Sequence, residues 1–359
     1  MEKFRNMESV PFFYHPDFTS YDFGANHPFR GERFGNFLKD LKARFPEVYE
    51  ILEIKKCEMA SEDQILLAHT KEYVQTVKTL ENRRGFLTLD TQIFPGSVDA
   101  ARLISGASID AAKAARDGGL ALGFGGLHHA GPDYGGGFCI YNDIAVAAKT
   151  LLNEGIRRVV ILDTDAHQGN GTMDIFYSDP RVLFFSLHQD PRTLFPGRGF
   201  TYETGNSEGE GYTVNIPMPP FAGWPEYEMA MNDIVIPLID EFKPEIIIRN
   251  GGSDPLYTDV LTNLGLTLES LSKLQRLVAQ TAEEREIPLA DLFLSGYGPY
   301  VTEGWFALVR GTLDKPMDLN SPEQEIQLSP EKKEAIHSAQ RNTLDELAGY
   351  LKPHWKCFQ

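Results

Sequence analysis

The stretch Val159-Val160-Ile161-Leu162-Asp163-Thr164-Asp165-Ala166-His167-Gln168-Gly169-Asn170-Gly171 constrains this chain more than any other. Its apolar, partly β-branched start reads as a strand buried on both faces, as in a parallel sheet. The run then breaks into acids and a histidine, followed by glycines. Strand alternation puts Asp163, Asp165 and His167 on one side for as long as the strand lasts. In open α/β sheets the carboxyl ends of strands are where ligands bind. Two carboxylates and an imidazole suit a divalent metal of zinc-like character. The plainer alternative is a strand end with solvated acids and a capping histidine.

Composition narrows the setting. The 359 residues are 42% hydrophobic, ample for a sizeable core. A single domain over 1–359 is expected, because large α/β folds often run this long as one unit. A net charge of −17 argues against a nucleic-acid footprint, which is usually a basic patch. The three cysteines, Cys57, Cys139 and Cys357, form no C-x-x-C pair and leave one over. A disulfide framework is not expected, and a reducing, cytoplasmic compartment is. Met1 to Arg5 is charged with no apolar h-region behind it, and no run of about 18 apolar residues offers a membrane span.

Strands and helices alternate along the chain. Pro11 to His15 is a short aromatic strand, and Phe34, Phe37, Leu38, Leu41 and Phe45 form the core stripe of an amphipathic helix. Ser61 with Gln64 is a capping box opening a helix through His69 and Tyr73, with His69 a packed or capping histidine. Asp90 to Gly96 reads as a loop ahead of a small-residue helix from Val98 to Arg116. Leu120–Phe124, Val182–His188, Tyr212–Ile216, Glu245–Arg249 and Leu289–Leu294 read as further strands. A helix starts near Asn142, and Glu269 to Glu286 forms another. The alternation predicts an α/β protein with a doubly wound, mostly parallel sheet and helices on both faces. Asp314 to Pro330 should wrap the surface, and Pro330 to Tyr350 should be a surface helix.

The chemistry clusters after the strands. His128 and His129 follow Gly125-Gly126, where glycine lets backbone approach a ligand closely. They could be metal ligands, acid/base groups or a structural pair. Asn250-Gly251-Gly252-Ser253-Asp254 ends another apolar strand. Asp254 could complete a metal site with Asp165 and His167, leaving coordination open for water and substrate, or cap a following helix. Tyr297, between Gly296 and Gly298, could donate a hydrogen bond to a reacting oxygen or be a packed rim aromatic.

Several stretches together resemble the histone deacetylase superfamily, particularly its prokaryotic acetoin-utilisation and deacetylase-like branch. They are Asn26–Arg33, Gly125–Asp143, Ile161–Gly171, Val182–Gly199, Gly251–Leu261 and Ser295–Tyr300, in the family's order within a core of about residues 10–310. The resemblance implies the arginase/deacetylase α/β fold, with residues 311–359 a C-terminal surface segment and helix. It implies Asp165, His167 and Asp254 as ligands of one catalytic Zn2+. Asp163 would orient His128 through a carboxylate–histidine hydrogen bond. His129, held by Asn170, would be the general base and later the acid, with His128 an electrostatic partner. Tyr297 would stabilise the oxyanion. Gly137, Phe138 and Phe195 would line a slot for an acyl-lysine-like chain, with Leu261 at its rim and Asp90 binding substrate backbone amides. Asp163, Asp165, His167, Ser186 and Leu187 also match a buried monovalent-cation (K+) site.

Three positions depart from the family pattern. Gln168 replaces the second histidine of a His-His-Gly-Asp stretch, Asn170 stands where many members have aspartate, and Ser295 interrupts a glycine run. The asparagine form also occurs in the family's second class, and position 168 is not a ligand. The resemblance implies a zinc-dependent deacylase that removes an acyl, foremost acetyl, group from lysine, with no direct nucleic-acid or membrane partner. An acetylpolyamine or other small acetylated amine is the sister substrate, although Asp22–Arg33 is short for that subgroup. A two-manganese arginase-like hydrolase would want a second acid beyond Asp254-Pro255-Leu256. An inactive acyl-lysine binder is the alternative of another class, disfavoured by retention of the ligands, both histidines and Tyr297.

Overall fold

Apolar runs with no wet face become the middle of one sheet. The computed structural model describes residues 3–322 and 326–359. Its strands are β1 (Val10–Tyr14), β2 (Leu52–Lys56), β3 (Phe86–Thr88), β4 (Thr91–Gln92), β5 (Leu120–Phe124), β6 (Val159–Asp163), β7 (Val182–Gln189), β8 (Thr213–Met218), β9 (Ile246–Asn250) and β10 (Leu289–Phe293). The helices are α1 (Glu32–Arg44), α2 (Pro46–Ile51), α3 (Glu62–Ile65), α4 (Lys71–Arg83), α5 (Ser97–Gly118), α6 (Asp143–Asn153) and α7 (Asn170–Phe176). They continue with α8 (Trp224–Ala230), α9 (Ile236–Phe242) after a π-helical turn (Met231–Val235), α10 (Leu268–Glu284), α11 (Val301–Leu313) and α12 (Pro330–Leu351).

The main sheet has eight strands in the order β2-β1-β5-β10-β9-β6-β7-β8, and every pairing in it is parallel. The expected doubly wound α/β sheet is therefore present. Strands β5 through β10 of this sheet are buried along their whole length, as sheets covered on both faces require. One face carries an aromatic core in which Phe12, Phe124 and Phe293 from three neighbouring strands meet Phe37 of α1 and Trp305 of α11. On the other lie α5, whose small buried residues let it sit against β1, β5 and β10, and α6. Among the described residues no helix is long and apolar enough to cross a membrane.

The consequential feature is the strand order. β9 and β10 return late in the chain and insert between β5 and β6, so β5, β10, β9 and β6 are neighbours. The segments that follow them carry His128 and His129, Tyr297, Asp254, and Asp165 with His167.

Several sequence expectations need correction. The helix opened by the Ser61–Gln64 capping box stops at Ile65, and a second begins at Lys71. The break is chemical: Thr70 Oγ1 accepts from Tyr73 N and caps the new helix. Residues Thr91–Gln92, expected in a loop, pair with Phe86–Thr88 as a small antiparallel hairpin. Strand β2 escaped notice because it is a charged edge strand, Leu52-Glu53-Ile54-Lys55-Lys56. Helix α11 escaped because it is buried on nearly every side, so its apolar residues mark no single face. Of the Asp314–Pro330 stretch, residues 323–325 lie outside the described residues, as do Met1 and Glu2.

Candidate active site

Strand alternation is not what gathers the acids, because β6 ends at Asp163. Beyond it the chain folds on its own side chains. Asp165 N donates to Asp163 Oδ1 at 3.0 Å and His167 N to Asp165 Oδ1 at 2.8 Å, the local turns that Asx side chains favour. Asp254 arrives from the end of β9 and is buried. It caps no helix. Its Oδ2 accepts from Ala166 N at 3.2 Å and its Oδ1 from Ser295 Oγ at 2.8 Å. Ser295, the departure from a glycine run, thus holds Asp254.

Asp165, His167 and Asp254 offer ligand atoms within 4.8 Å of one another, all buried. Both carboxylates crowd a single imidazole nitrogen: His167 Nδ1 is 3.1 Å from Asp165 Oδ1 and 3.0 Å from Asp254 Oδ2. Burial and the Asp165 charge push the Asp254 carboxyl well above the usual range. Burial lowers the His167 imidazole, but the two acids outweigh it and hold it up to about 10. Two carboxylates and one imidazole thus converge on one buried point. A divalent cation fits that donor set, since two oxygens and one nitrogen leave positions for water and substrate.

The histidine pair is divided by its partners. His128 Nδ1 lies 2.6 Å from Asp163 Oδ2, and its Nε2 is 3.8 Å from Asp165 Oδ1. Burial lowers His128, yet Asp163 and Asp165 prevail and hold it up to about 9. His129 Nδ1 meets the amide oxygen of Asn170 at 2.7 Å. Burial, then the charges of His128 and His167, drive His129 well below the ordinary histidine value. Adjacent imidazoles are therefore poised apart, one charged and one neutral. The turn bearing them is held from below by Asp143, the first residue of α6, whose carboxylate accepts from Gly126 N and Leu127 N (2.6 Å).

Tyr297 leaves β10 through Gly296, whose φ is 124° and where a Cβ would stand 1.9 Å from Ser253 Oγ. Its ring lies 6.3 Å from that of His167. Burial, then Asp165 and Asp254, raise the phenol well above its usual pKa, so it stays a donor. Tyr297 N donates to Asp259 Oδ2 at 2.7 Å while Leu261 N donates to Asp259 Oδ1 at 2.8 Å, so one carboxylate fixes both residues.

His129, His167 and Tyr297 line a cavity of about 240 Å³ together with Asp90, Phe138, Phe195 and Leu261. A recess of about 20 Å³ continues inward beside His128, Gly126, Leu127 and Cys139. Phe195 packs edge-on to His129 with centroids 5.0 Å apart, and Phe138 is 5.7 Å from Tyr297. Gly137 has φ 56°, and a Cβ there would stand 2.5 Å from His129 Cδ2 and 3.0 Å from Phe195 Cε1. Asp90 turns the β3–β4 hairpin, accepting from the hydroxyls of Thr88 and Thr91.

The structure thus brings together Asp163, Asp165, His167, Asp254, His128, His129, Asn170 and Tyr297, with Asp90, Gly137, Phe138, Phe195 and Leu261 at the entrance. Ser186 is paired in register with Asp163, and Leu187 follows it on β7. Gln168 is buried and donates to Asn215 Oδ1 at 3.0 Å, away from the ligand cluster. His69 is a packed histidine between Gly131 O and Asn142 N. Sequence reading missed Asp143, Asp259, Tyr134 and Asp174. For Asp174 a signal existed: it lies one helical turn after Asn170.

Residues 27–311 match the histone deacetylase domain family. A probable deacetylase of Archaeoglobus fulgidus is 34% identical over 360 residues, 96% of this chain and 98% of that protein. The acetoin utilization protein AcuC of Bacillus subtilis is 34% identical over 294 residues, 77% of this chain and 74% of its own length. Among solved structures, the HDA15 HD domain superposes with a TM-score of 0.81 at 25% identity, over 97% of this chain and 98% of that one. The chain belongs to the histone deacetylase family. It is a hydrolase of the deacetylase class, resembling AcuC.

Proposed function

We propose that this protein is a zinc-dependent amidohydrolase that removes acetyl groups from lysine side chains of proteins or peptides. The observation that carries the reading is the buried Asp165–His167–Asp254 cluster, whose His167 lines the same slot as His129 and Tyr297. These three residues would hold one zinc ion, which when bound lowers the pKa of water toward about 7 and polarises a carbonyl. His129, neutral and with one nitrogen occupied by Asn170, takes the proton of the attacking water and returns it to the leaving amine. His128, paired with Asp163, keeps a positive charge beside the reacting centre. Tyr297 donates to the substrate oxygen as negative charge develops on it.

The small inner recess beside His128, Gly126 and Cys139 supports a short acyl group such as acetyl. Apolar Phe138, Phe195 and Leu261 suit the methylenes of lysine, and Asp90 is in reach of a peptide's amide groups. A small acetylated amine such as an acetylpolyamine is the second reading, favoured by the net charge of −17. The proposal includes a structural K+ among Asp163, Asp165, His167, Ser186 and Leu187, supported by the β6–β7 register. It also includes one domain, supported by a continuous buried core from Phe4 to Trp355. Cytoplasmic location is supported by three free cysteines, two of them buried. The test is a panel of acyl-lysine peptides and acetylpolyamines assayed on metal-analysed protein. Acetyl-lysine peptides should give the highest kcat/KM; preference for acetylpolyamines would move the assignment to the second reading.

A further inference from the structure

Helix α7 carries Asn170 and Asp174 one turn apart, hence on one face. The phenol of Tyr134 sits between them. Asn170 Nδ2 donates to Tyr134 Oη at 3.0 Å, and Tyr134 donates to Asp174 Oδ2 at 2.6 Å. Arg198 closes the far end with two hydrogen bonds to Asp174, at 2.9 and 2.8 Å. At the near end Asn170 Oδ1 faces His129 Nδ1 at 2.7 Å.

The proton directions in this chain are fixed by chemistry. A carboxylate paired with arginine only accepts. Tyr134 must therefore spend its single proton on Asp174, leaving a lone pair that can only accept. The asparagine NH2 satisfies that lone pair, so the amide oxygen points at His129. An oxygen there requires Nδ1–H, and the His129 Nε2 lone pair is left free toward the slot. Burial, then Asp174, raise the Tyr134 phenol, which keeps its proton. Tyr134 itself is held by a tight turn: Gly131 N donates to its carbonyl at 2.9 Å, and a Cβ at Gly131 would stand 2.2 Å from the ring.

We infer that Tyr134, backed by Asp174 and Arg198, is a positioning residue that locks the Asn170 amide in one orientation and so selects the base-competent tautomer of His129. An aspartate at position 170 would accept through either oxygen and need no such lock. An asparagine has two orientations, and the wrong one presents NH2 to Nδ1 and shifts the proton to Nε2. The lock answers the departure at Asn170. The inference rests on the reading of His129 as the base.

The test uses full-length, metal-loaded protein and an acetyl-lysine substrate. Tyr134→Phe should lower kcat by about 10- to 100-fold, with KM, metal content and thermal midpoint unchanged. Asp174→Asn, which can donate back to the phenol, should lower kcat in the same way. Nitrogen-15 NMR of the histidine rings should report Nδ1–H for His129 in the wild type and Nε2–H or a mixture in Tyr134→Phe. In an Asn170→Asp background the Tyr134→Phe loss should shrink to within about twofold. The inference is overturned by wild-type kcat in Tyr134→Phe, by an effect on KM alone, or by an equal loss in both backgrounds. Should Tyr134→Phe fail to fold, an active Asp174→Asn with wild-type kcat overturns it equally. A wild type that hydrolyses no acetylated amine refutes instead the functional reading beneath it.

Discussion

Removing the hydroxyl of Tyr297 leaves its ring against Phe138 and His167, so Tyr297→Phe isolates one donor. Losing an oxyanion donor costs roughly 2.7–4 kcal/mol, about 10²–10³ in rate. Steady-state kinetics should give a kcat reduced on that scale, with metal content and KM retained. Turnover near wild type would make Tyr297 a packing residue and pass attention to Tyr300. At Asn170 the expectation is a pH shift. Burial and two neighbouring imidazoles hold His129 well below its ordinary value, and the neutral amide adds no countercharge. In Asn170→Asp a carboxylate would favour imidazolium and raise the His129 pKa by up to about 1–3 units. The base must be neutral, so the acidic limb of the kcat/KM profile should move to higher pH. Metal must be measured at each pH, because ligand protonation releases it. A limb that stays put or moves downward removes either the contact or the base. Gly137→Ala puts a methyl 2.5 Å from His129 Cδ2 in a φ 56° backbone. A displacement of about 1 Å at the base can cost about 10²-fold, so kcat/KM should fall on that order while the fold persists by circular dichroism.

At the scale of elements, legibility followed burial. β5, β6, β9 and β10 announce themselves as mostly apolar runs, interrupted only by Arg249 in β9 and Asp291 in β10, and each is followed by polar residues that meet at the site. The ligand set was readable because it sits where those runs stop. The charged edge strand β2 and the nearly fully buried helix α11 gave no clear face to detect, and the α3–α4 break turned on a single capping threonine. The Asn170–Tyr134–Asp174 chain was out of reach, since only the fold brings position 134 to α7. Another such hidden feature supports the site from inside the sheet. Arg249 of β9 is buried, pairs with Asp291 of β10 at 3.2 Å and donates to Thr164 Oγ1 at 2.7 Å, directly behind the acids after β6. Breaking a buried pair on one side costs about 3–5 kcal/mol, because the other charge is left uncompensated. Arg249→Leu should lower the denaturant midpoint accordingly. An unchanged midpoint would mean that Gln275 and Thr312, which also donate to Asp291, suffice to hold it.

For the whole molecule, topology is what makes the centre. β9 and β10 enter the sheet between β5 and β6, so residues from His128 to Tyr297, far apart in sequence, are delivered by four adjacent strand ends. The late strands bring Asp254 and Tyr297 to groups that the earlier half has already set in place. The central claim is that Asp165, His167 and Asp254 form one divalent-metal site on which hydrolysis depends. The most direct measurement pairs metal analysis with acetyl-lysine hydrolysis for the wild type, the chelator-stripped protein and Asp254→Ala. The account predicts close to one zinc per wild-type chain, activity lost on stripping and regained with stoichiometric zinc, and neither metal nor activity in Asp254→Ala. Full hydrolysis by rigorously metal-free protein would contradict it.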